Sequence, residues 1–207
     1  MYSDQLWAWL VTMAAAYLLG SFSTSITVGK LFYRQDIRKV GSGNAGATNT
    51  LRNYGVKKAL LVALGDTLKT VFAMLLARLI LGKTAMIYAG LVAVIGHIFP
   101  VYYRFKGGKG VMSAGAAILM YDWRIFFLVI GLFILIVITT RYVSLGSLIC
   151  AVVFPVSAAL LHWPDKGNVL ACVAIALIVI LKHHENIRRL IHGTESKIGS
   201  KKAQANQ

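Results

Sequence analysis

Apolar stretches recur along almost the whole chain, separated by short polar turns. Seven stand out, at residues 6–27, 60–81, 85–103, 111–121, 125–139, 143–161 and 169–181. Such a pattern predicts an all-α, polytopic membrane protein with about seven transmembrane helices. The fourth stretch is too short to cross roughly 30 Å of hydrocarbon as a simple helix. It is expected to start earlier, to tilt, or to sit where the bilayer thins, and five or six full crossings is the lower count.

Charge orients the spans. The chain carries 22 Lys and Arg against 7 Asp and Glu, a net charge of +15, although 57% of its residues are hydrophobic. With the N-terminus outside, the clusters Lys30–Lys58, Arg104–Lys109, Arg141 and Lys182–Lys202 lie inside. Only Arg78, Lys83, Arg124 and Lys166 lie outside, and Lys69 falls within a span. This bias predicts an outside N-terminus and a cytoplasmic C-terminus. Basic residues beside spans also attract anionic headgroups, and they argue against nucleic-acid binding. Met1–Gln5 contains Asp4 and no basic residue, so the first stretch is expected to stay as a span rather than serve as a signal peptide. Residues 1–193 read as one integral-membrane domain and 194–207 as a basic, disordered cytoplasmic tail. Trp7, Trp9 and Trp163 near span ends read as interfacial anchors. Cys150 and Cys172 lie in apolar stretches and read as small hydrophobes.

Three polar segments interrupt this pattern on the predicted cytoplasmic side. The first is Gly41-Ser42-Gly43-Asn44-Ala45-Gly46-Ala47-Thr48-Asn49-Thr50-Leu51-Arg52. Its glycines permit a tight backbone that exposes N–H donors. Ser42, Asn44, Thr48 and Asn49 add side-chain donors, and Arg52 adds a planar fork suited to phosphate. A flexible linker is the alternative, but linkers seldom combine this donor density with a terminal arginine.

The second runs from Gly96-His97 to Arg104-Phe105-Lys106-Gly107-Gly108-Lys109-Gly110. It resembles a phosphate loop in its physics, yet Gly110 stands where a Walker A motif needs Ser or Thr for magnesium. The third is Lys182-His183-His184-Glu185-Asn186-Ile187-Arg188-Arg189. His183 and His184 point about 100° apart on a helix, so they make poor joint metal ligands, and no metal or cofactor is expected. Asp66 and Lys69, three apart in the second span, read as an intramembrane ion pair. Arg141–Ser144 lies at an inner turn and is a further candidate donor. The pooled groups are mostly donors and cations, a set built to bind anions.

These three segments, in this order between spans, resemble the motifs of the bacterial acyl-phosphate-dependent glycerol-3-phosphate acyltransferase family. The resemblance covers about residues 17–189, with Thr70 where that family carries glycine. It implies transfer of a fatty acyl group from acyl phosphate to the 1-hydroxyl of sn-glycerol 3-phosphate. The products are lysophosphatidate and inorganic phosphate, the first step of phospholipid biosynthesis. The chain is then expected to work as a monomer in the bacterial inner membrane, with its site facing the cytoplasm.

On that footing Ser42, Gly43, Asn44, Thr48 and Asn49 hold the acyl-phosphate head and polarise its carbonyl. Arg52, Lys109 and Ser144 hold glycerol 3-phosphate, with Lys106, His97 and the amides of Gly107, Gly108 and Gly110 beside them. His183, oriented by Glu185 and Asn186, binds or polarises a substrate oxygen, and a substrate phosphate oxygen accepts the hydroxyl proton. A phosphate-ester transporter and a non-catalytic lipid binder are the competing classes. The transporter fits less well, because the polar segments cluster at one face and no inverted repeat is visible.

Overall fold

The computed structural model describes residues 2–199. It is all-helical: α1 (Tyr2–Ser21), α2 (Thr24–Tyr33), α3 (Ala47–Leu81), α4 (Ala85–Ile98), α5 (Val111–Tyr121), α6 (Trp123–Thr140), α7 (Val143–His162), α8 (Lys166–Lys182) and α9 (His184–Ile191). The described residues contain five helical stretches long and apolar enough to cross a membrane. They become six if α8 and α9, bent by 57° at their junction, count as one. The difference from seven lies in α5, whose 11 residues reach only about 16 Å at 1.5 Å per residue. Apolar surface faces outward as lipid-facing helices require. In the candidate span formed by α6, only 11% of residues are buried.

The chain divides into two compact units, residues 1–121 and 122–207. In the first, α1 packs on α3 and α4, α3 also packs on α2, and α5 packs on α3 and α4. Fully buried alanines line this packing: Ala16, Ala73, Ala77, Ala85, Ala89 and Ala93. Lipid supplies no hydrophobic drive for helices to associate, so small side chains that let backbones close up carry the contact. Gly20 shows the limit, since a Cβ there would collide with the backbone of Ala93. Trp9 is half-buried against this cluster and meets Tyr88 edge-on at 5.9 Å. Trp7 and Trp163 are exposed.

The first apolar stretch is not one continuous helix. It breaks at Phe22 and Ser23, where Ser23 caps α2 by accepting the Ile26 N–H. The break leaves the Phe22 carbonyl outside the helical ladder. A second break lies at Gly55 within α3, at φ 80° and ψ 178°.

In the second unit α7 packs on α6 and α8, and α9 follows α8. Cys150 and Cys172 are buried free thiols, and the Cys150 thiol donates to the Val129 carbonyl at 3.2 Å. Asp122 caps α6 and is held by Arg124 and by His162 of α7, at 2.7 and 2.8 Å. The Arg124 hydrogen bond keeps the Asp122 carboxyl well below the usual carboxylate range. Just beyond α9, residues up to 199 make specific contacts. Ile198 N–H bonds to the Arg141 carbonyl at 2.8 Å, and Lys197 lies over the Tyr142 ring. Glu195 is buried. A carboxylate supplied with donors anchors a segment that is otherwise too basic to pack. Residues 200–207 of that tail lie outside the described residues.

Candidate active site

The Gly41–Arg52 segment is built on a clasp that precedes it. A short 3-10 turn, Ile37–Lys39, is capped by Asp36, which accepts the Arg38 N–H at 3.0 Å. Arg38 returns a two-point pair to the same carboxylate, Nε to Oδ1 at 3.0 Å and Nη2 to Oδ2 at 2.7 Å. That bond holds the Asp36 carboxyl below its ordinary value, against the opposing pull of burial. Arg38 Nη1 donates to the carbonyls of Tyr103 and Lys106, both at 2.9 Å. One guanidinium therefore joins the approach to the first polar segment with the second.

After the turn, Gly41 and Gly43 take positive φ, 58° and 71°. Asn49 holds the resulting loop from inside. Its Nδ2 donates to the carbonyls of Ile37 and Val40, at 3.2 and 2.9 Å, while its Oδ1 accepts the Ser42 N–H at 3.0 Å. Asn49 is 2% exposed. Its amide is engaged within the protein, where it shapes the loop. Ser42 and Gly43 are exposed, and Asn44, Thr48 and Arg52 are half-buried. Helix α3 opens at Gly46, in extended backbone, with no side-chain cap, so its first amides face the loop.

The glycine segment also differs from expectation. Gly107 N–H donates to the Ile98 carbonyl at 3.1 Å and Gly108 N–H to the His97 carbonyl at 3.2 Å. The carbonyls ending α4 need partners, and these two amides supply them, so neither is left for a phosphate. Gly108 must be glycine, because a Cβ there would collide with His97 Nε2 and the Ala45 carbonyl. The two polar segments are thus in direct contact. Gly110, at φ 82°, turns the chain into α5. Lys106 is exposed and Lys109 half-buried.

His97 is 4% exposed, beneath this contact. Its Nδ1 lies 2.9 Å from Lys69 Nζ and 3.7 Å from Asp66 Oδ1. The Asp66–Lys69 ion pair is present as the sequence predicts, at 3.0 Å. Thr24 Oγ1 donates to Asp66 Oδ1 at 3.1 Å.

In the second unit His183 ends α8 and is buried. Its Nδ1–H donates to the Val179 carbonyl at 2.8 Å, since a carbonyl can only accept. In the neutral ring Nε2 then carries the lone pair. Glu185 is exposed and 3.7 Å from Arg189. Asn186 Nδ2 donates to Glu195 Oε1 at 2.7 Å, and Ser144 Oγ donates to the same oxygen at 2.8 Å. Arg189 Nε reaches Glu195 Oε2 at 2.6 Å. Burial alone would raise the Glu195 pKa, but the bonds from Arg189, Ser144 and Asn186 outweigh it and hold the carboxyl below its ordinary value. Ser144 is therefore tied to Glu195. Glu195 was missed from sequence, though it is the lone acid between residues 186 and 207. Among the described residues no group of three or more His, Cys, Asp or Glu is placed to hold a metal ion.

A family model described as glycerol-3-phosphate acyltransferase matches residues 10–193. Glycerol-3-phosphate acyltransferase 2 of Bacillus anthracis is 39% identical over 189 residues, covering 91% of this chain and 98% of that one. Two crystal structures of PlsY (YgiH), an integral membrane glycerol 3-phosphate acyltransferase, share the fold. The glycerol 3-phosphate form superposes with a TM-score of 0.86 at 34% identity, covering 92% of this chain and 96% of the other. The lysophosphatidic acid form gives 0.83 at 32% identity, covering 92% and 95%.

Proposed function

This chain belongs to the glycerol-3-phosphate acyltransferase family, and from that premise we propose that it acylates the 1-hydroxyl of glycerol 3-phosphate from an acyl-phosphate donor. It is an integral membrane acyltransferase. The hydroxyl oxygen attacks the acyl carbonyl carbon, the bond from that carbon to the phosphate oxygen breaks, and inorganic phosphate leaves with the proton. The mixed anhydride carries its own good leaving group, so the protein has to bind, orient and polarise more than it has to activate.

The observation that carries this reading is the contact of the Gly41–Arg52 loop with the glycine segment, at Ala45 and Gly108. Two donor-rich segments from distant parts of the chain are built into one cradle within a single unit. In that cradle Ser42, Gly43, Asn44, Thr48 and the opening amides of α3 polarise the acyl carbonyl and hold its phosphate. Arg52 and Lys109, with Lys106 near, hold glycerol 3-phosphate. Asn49, Gly107 and Gly108 shape the cradle. His183 binds or polarises a substrate oxygen, and a phosphate oxygen of a substrate takes the proton. Ser144 and Asn186 support this end of the chain through Glu195.

The Lys and Arg bias supports an outside N-terminus and a cytoplasmic site, the bacterial relatives support an inner-membrane location, and the chain is proposed to act as a monomer. The test supplies purified protein with acyl phosphate and, separately, acyl-CoA, and measures acylation of glycerol 3-phosphate. Product from acyl phosphate alone is expected. Product from the thioester alone overturns the donor assignment, and uptake of phosphate ester by proteoliposomes without acylation overturns the enzyme reading.

A further inference from the structure

Three buried charged or titratable side chains lie within the spans of the first unit, and the reaction as described above leaves two of them, Asp66 and Lys69, without a task. Asp66 is 1% exposed, Lys69 7% and His97 4%. Burying charge is costly, and an apolar substitute of similar volume often serves packing as well or better. The directions of the hydrogen bonds explain why such a group is useful here.

A lysine ammonium has three N–H donors and no acceptor. Three acceptors surround Lys69 Nζ: the Phe22 carbonyl at 2.6 Å, His97 Nδ1 at 2.9 Å and Asp66 Oδ1 at 3.0 Å. The Phe22 carbonyl is available because the first span breaks there. Every donor is matched, and His97 Nδ1 must meet its share with a lone pair. A proton on Nδ1 would point at the ammonium, and Asp66 Oδ1 at 3.7 Å is too far to accept it. The ring proton is therefore on Nε2. That nitrogen faces the position where Gly108 lacks a Cβ, beside the Ala45 carbonyl.

We propose that Asp66 and Lys69 are positioning residues for the acyl-transfer site, which fix His97 as the neutral Nε2–H tautomer and so make it a permanent donor at the contact between the Gly41–Arg52 loop and the glycine segment. The pair adds no net charge to the span, since carboxylate and ammonium cancel. Its effect is orientational: one N–H is held in one direction where both loops meet. Thr24, bonded to Asp66, completes the support. The inference rests on the reading of these two loops as the substrate cradle.

The test begins with the wild-type protein, labelled with 15N-histidine and held in lipid nanodiscs. The His97 resonance is assigned by its loss in His97→Asn. The Nε2–H tautomer is expected, and an Nδ1–H or doubly protonated ring overturns the proposal without recourse to any other variant. Steady-state kinetics follow for Lys69→Met, His97→Asn and the double variant. Each single substitution is expected to raise KM for glycerol 3-phosphate about tenfold, the loss of one hydrogen bond. The double variant is expected to be no worse than the poorer single variant, because Lys69 acts through His97. Additive losses overturn the proposal, as does an unchanged KM in Lys69→Met. Absence of acyl transfer by the wild type from either acyl donor would instead remove the proposed function, and with it the link between the tautomer and catalysis.

Discussion

Arg38 donates to the carbonyl oxygen of Lys106 at 2.9 Å, across 68 residues of sequence. The same nitrogen reaches the Tyr103 carbonyl, and the rest of the guanidinium is occupied by Asp36. Carbonyl ends of one loop are thus fastened to the cap of another, with no substrate needed to bring them together. Preorganisation of this kind lowers the ordering cost of binding.

The clasp carries a pH dependence. Its carboxyl has a depressed pKa, so its stabilising contribution is full above about pH 4 and is lost as pH falls through the folded value. Asp36→Asn is expected to cost about 1 kcal/mol at neutral pH, and less in acid. Thermal unfolding of both proteins from pH 7 to pH 3 checks this, and a gap that widens on acidification would contradict it.

Arg52→Lys is expected to lose at least tenfold in kcat/KM, because a two-point fork becomes a point charge. Full activity in that variant would remove Arg52 from the phosphate grip.

Gly108→Ala is expected to abolish activity and lower thermal stability, since the new methyl meets His97 and the Ala45 carbonyl. Gly115→Ala is the matched control. It lies within α5 with open space around a Cβ, so it is expected to be neutral or to stabilise by about 0.5–1 kcal/mol. Measuring unfolding and turnover for the pair separates local collision from a general intolerance of added volume.

Glu195→Gln is expected to destabilise the second unit by about 2 kcal/mol at pH 7, because Arg189 loses an ionic partner in a buried setting. The depressed Glu195 pKa gives the same sign as for Asp36: the advantage of the wild type exists above roughly pH 4 and fades below it. Limited proteolysis near residue 193, across pH, would follow the release of the segment.

His183→Ala is expected to lower kcat while leaving the shape of the pH–rate profile intact, since a substrate phosphate takes the proton. Loss of an ionisation near neutrality in that profile would make His183 the general base.

Periodicity and charge revealed much of this molecule in advance, and the exceptions have physical causes. The Asp66–Lys69 pair was legible because three-residue spacing puts two opposite charges on one helical face. The break at Phe22 was hidden, since Phe22 is as apolar as its neighbours and only Ser23, a capping residue, marks the start of a new helix. Asn49 and Ser42 were equivalent as donors in the sequence. Only the fold shows that one turns inward to hold three loop groups while the other faces out. Glu185 and Glu195 are the only glutamates in the chain. The sequence points to Glu185 by its nearness to His183, whereas Glu195 becomes visible only in the fold, where Ser144, Asn186 and Arg189 gather around it. The length of α5 was visible from the start, and the structure leaves it short.

The break at Gly55 obeys handedness rather than volume. A Cβ at that position would meet nothing within 4 Å, yet the backbone at φ 80° and ψ 178° is closed to L-residues. Reflected, the same angles describe ordinary extended chain. A D-alanine placed there by chemical ligation would therefore keep the bend that L-alanine removes, and the two enantiomers, identical in size and polarity, would yield proteins of different shape.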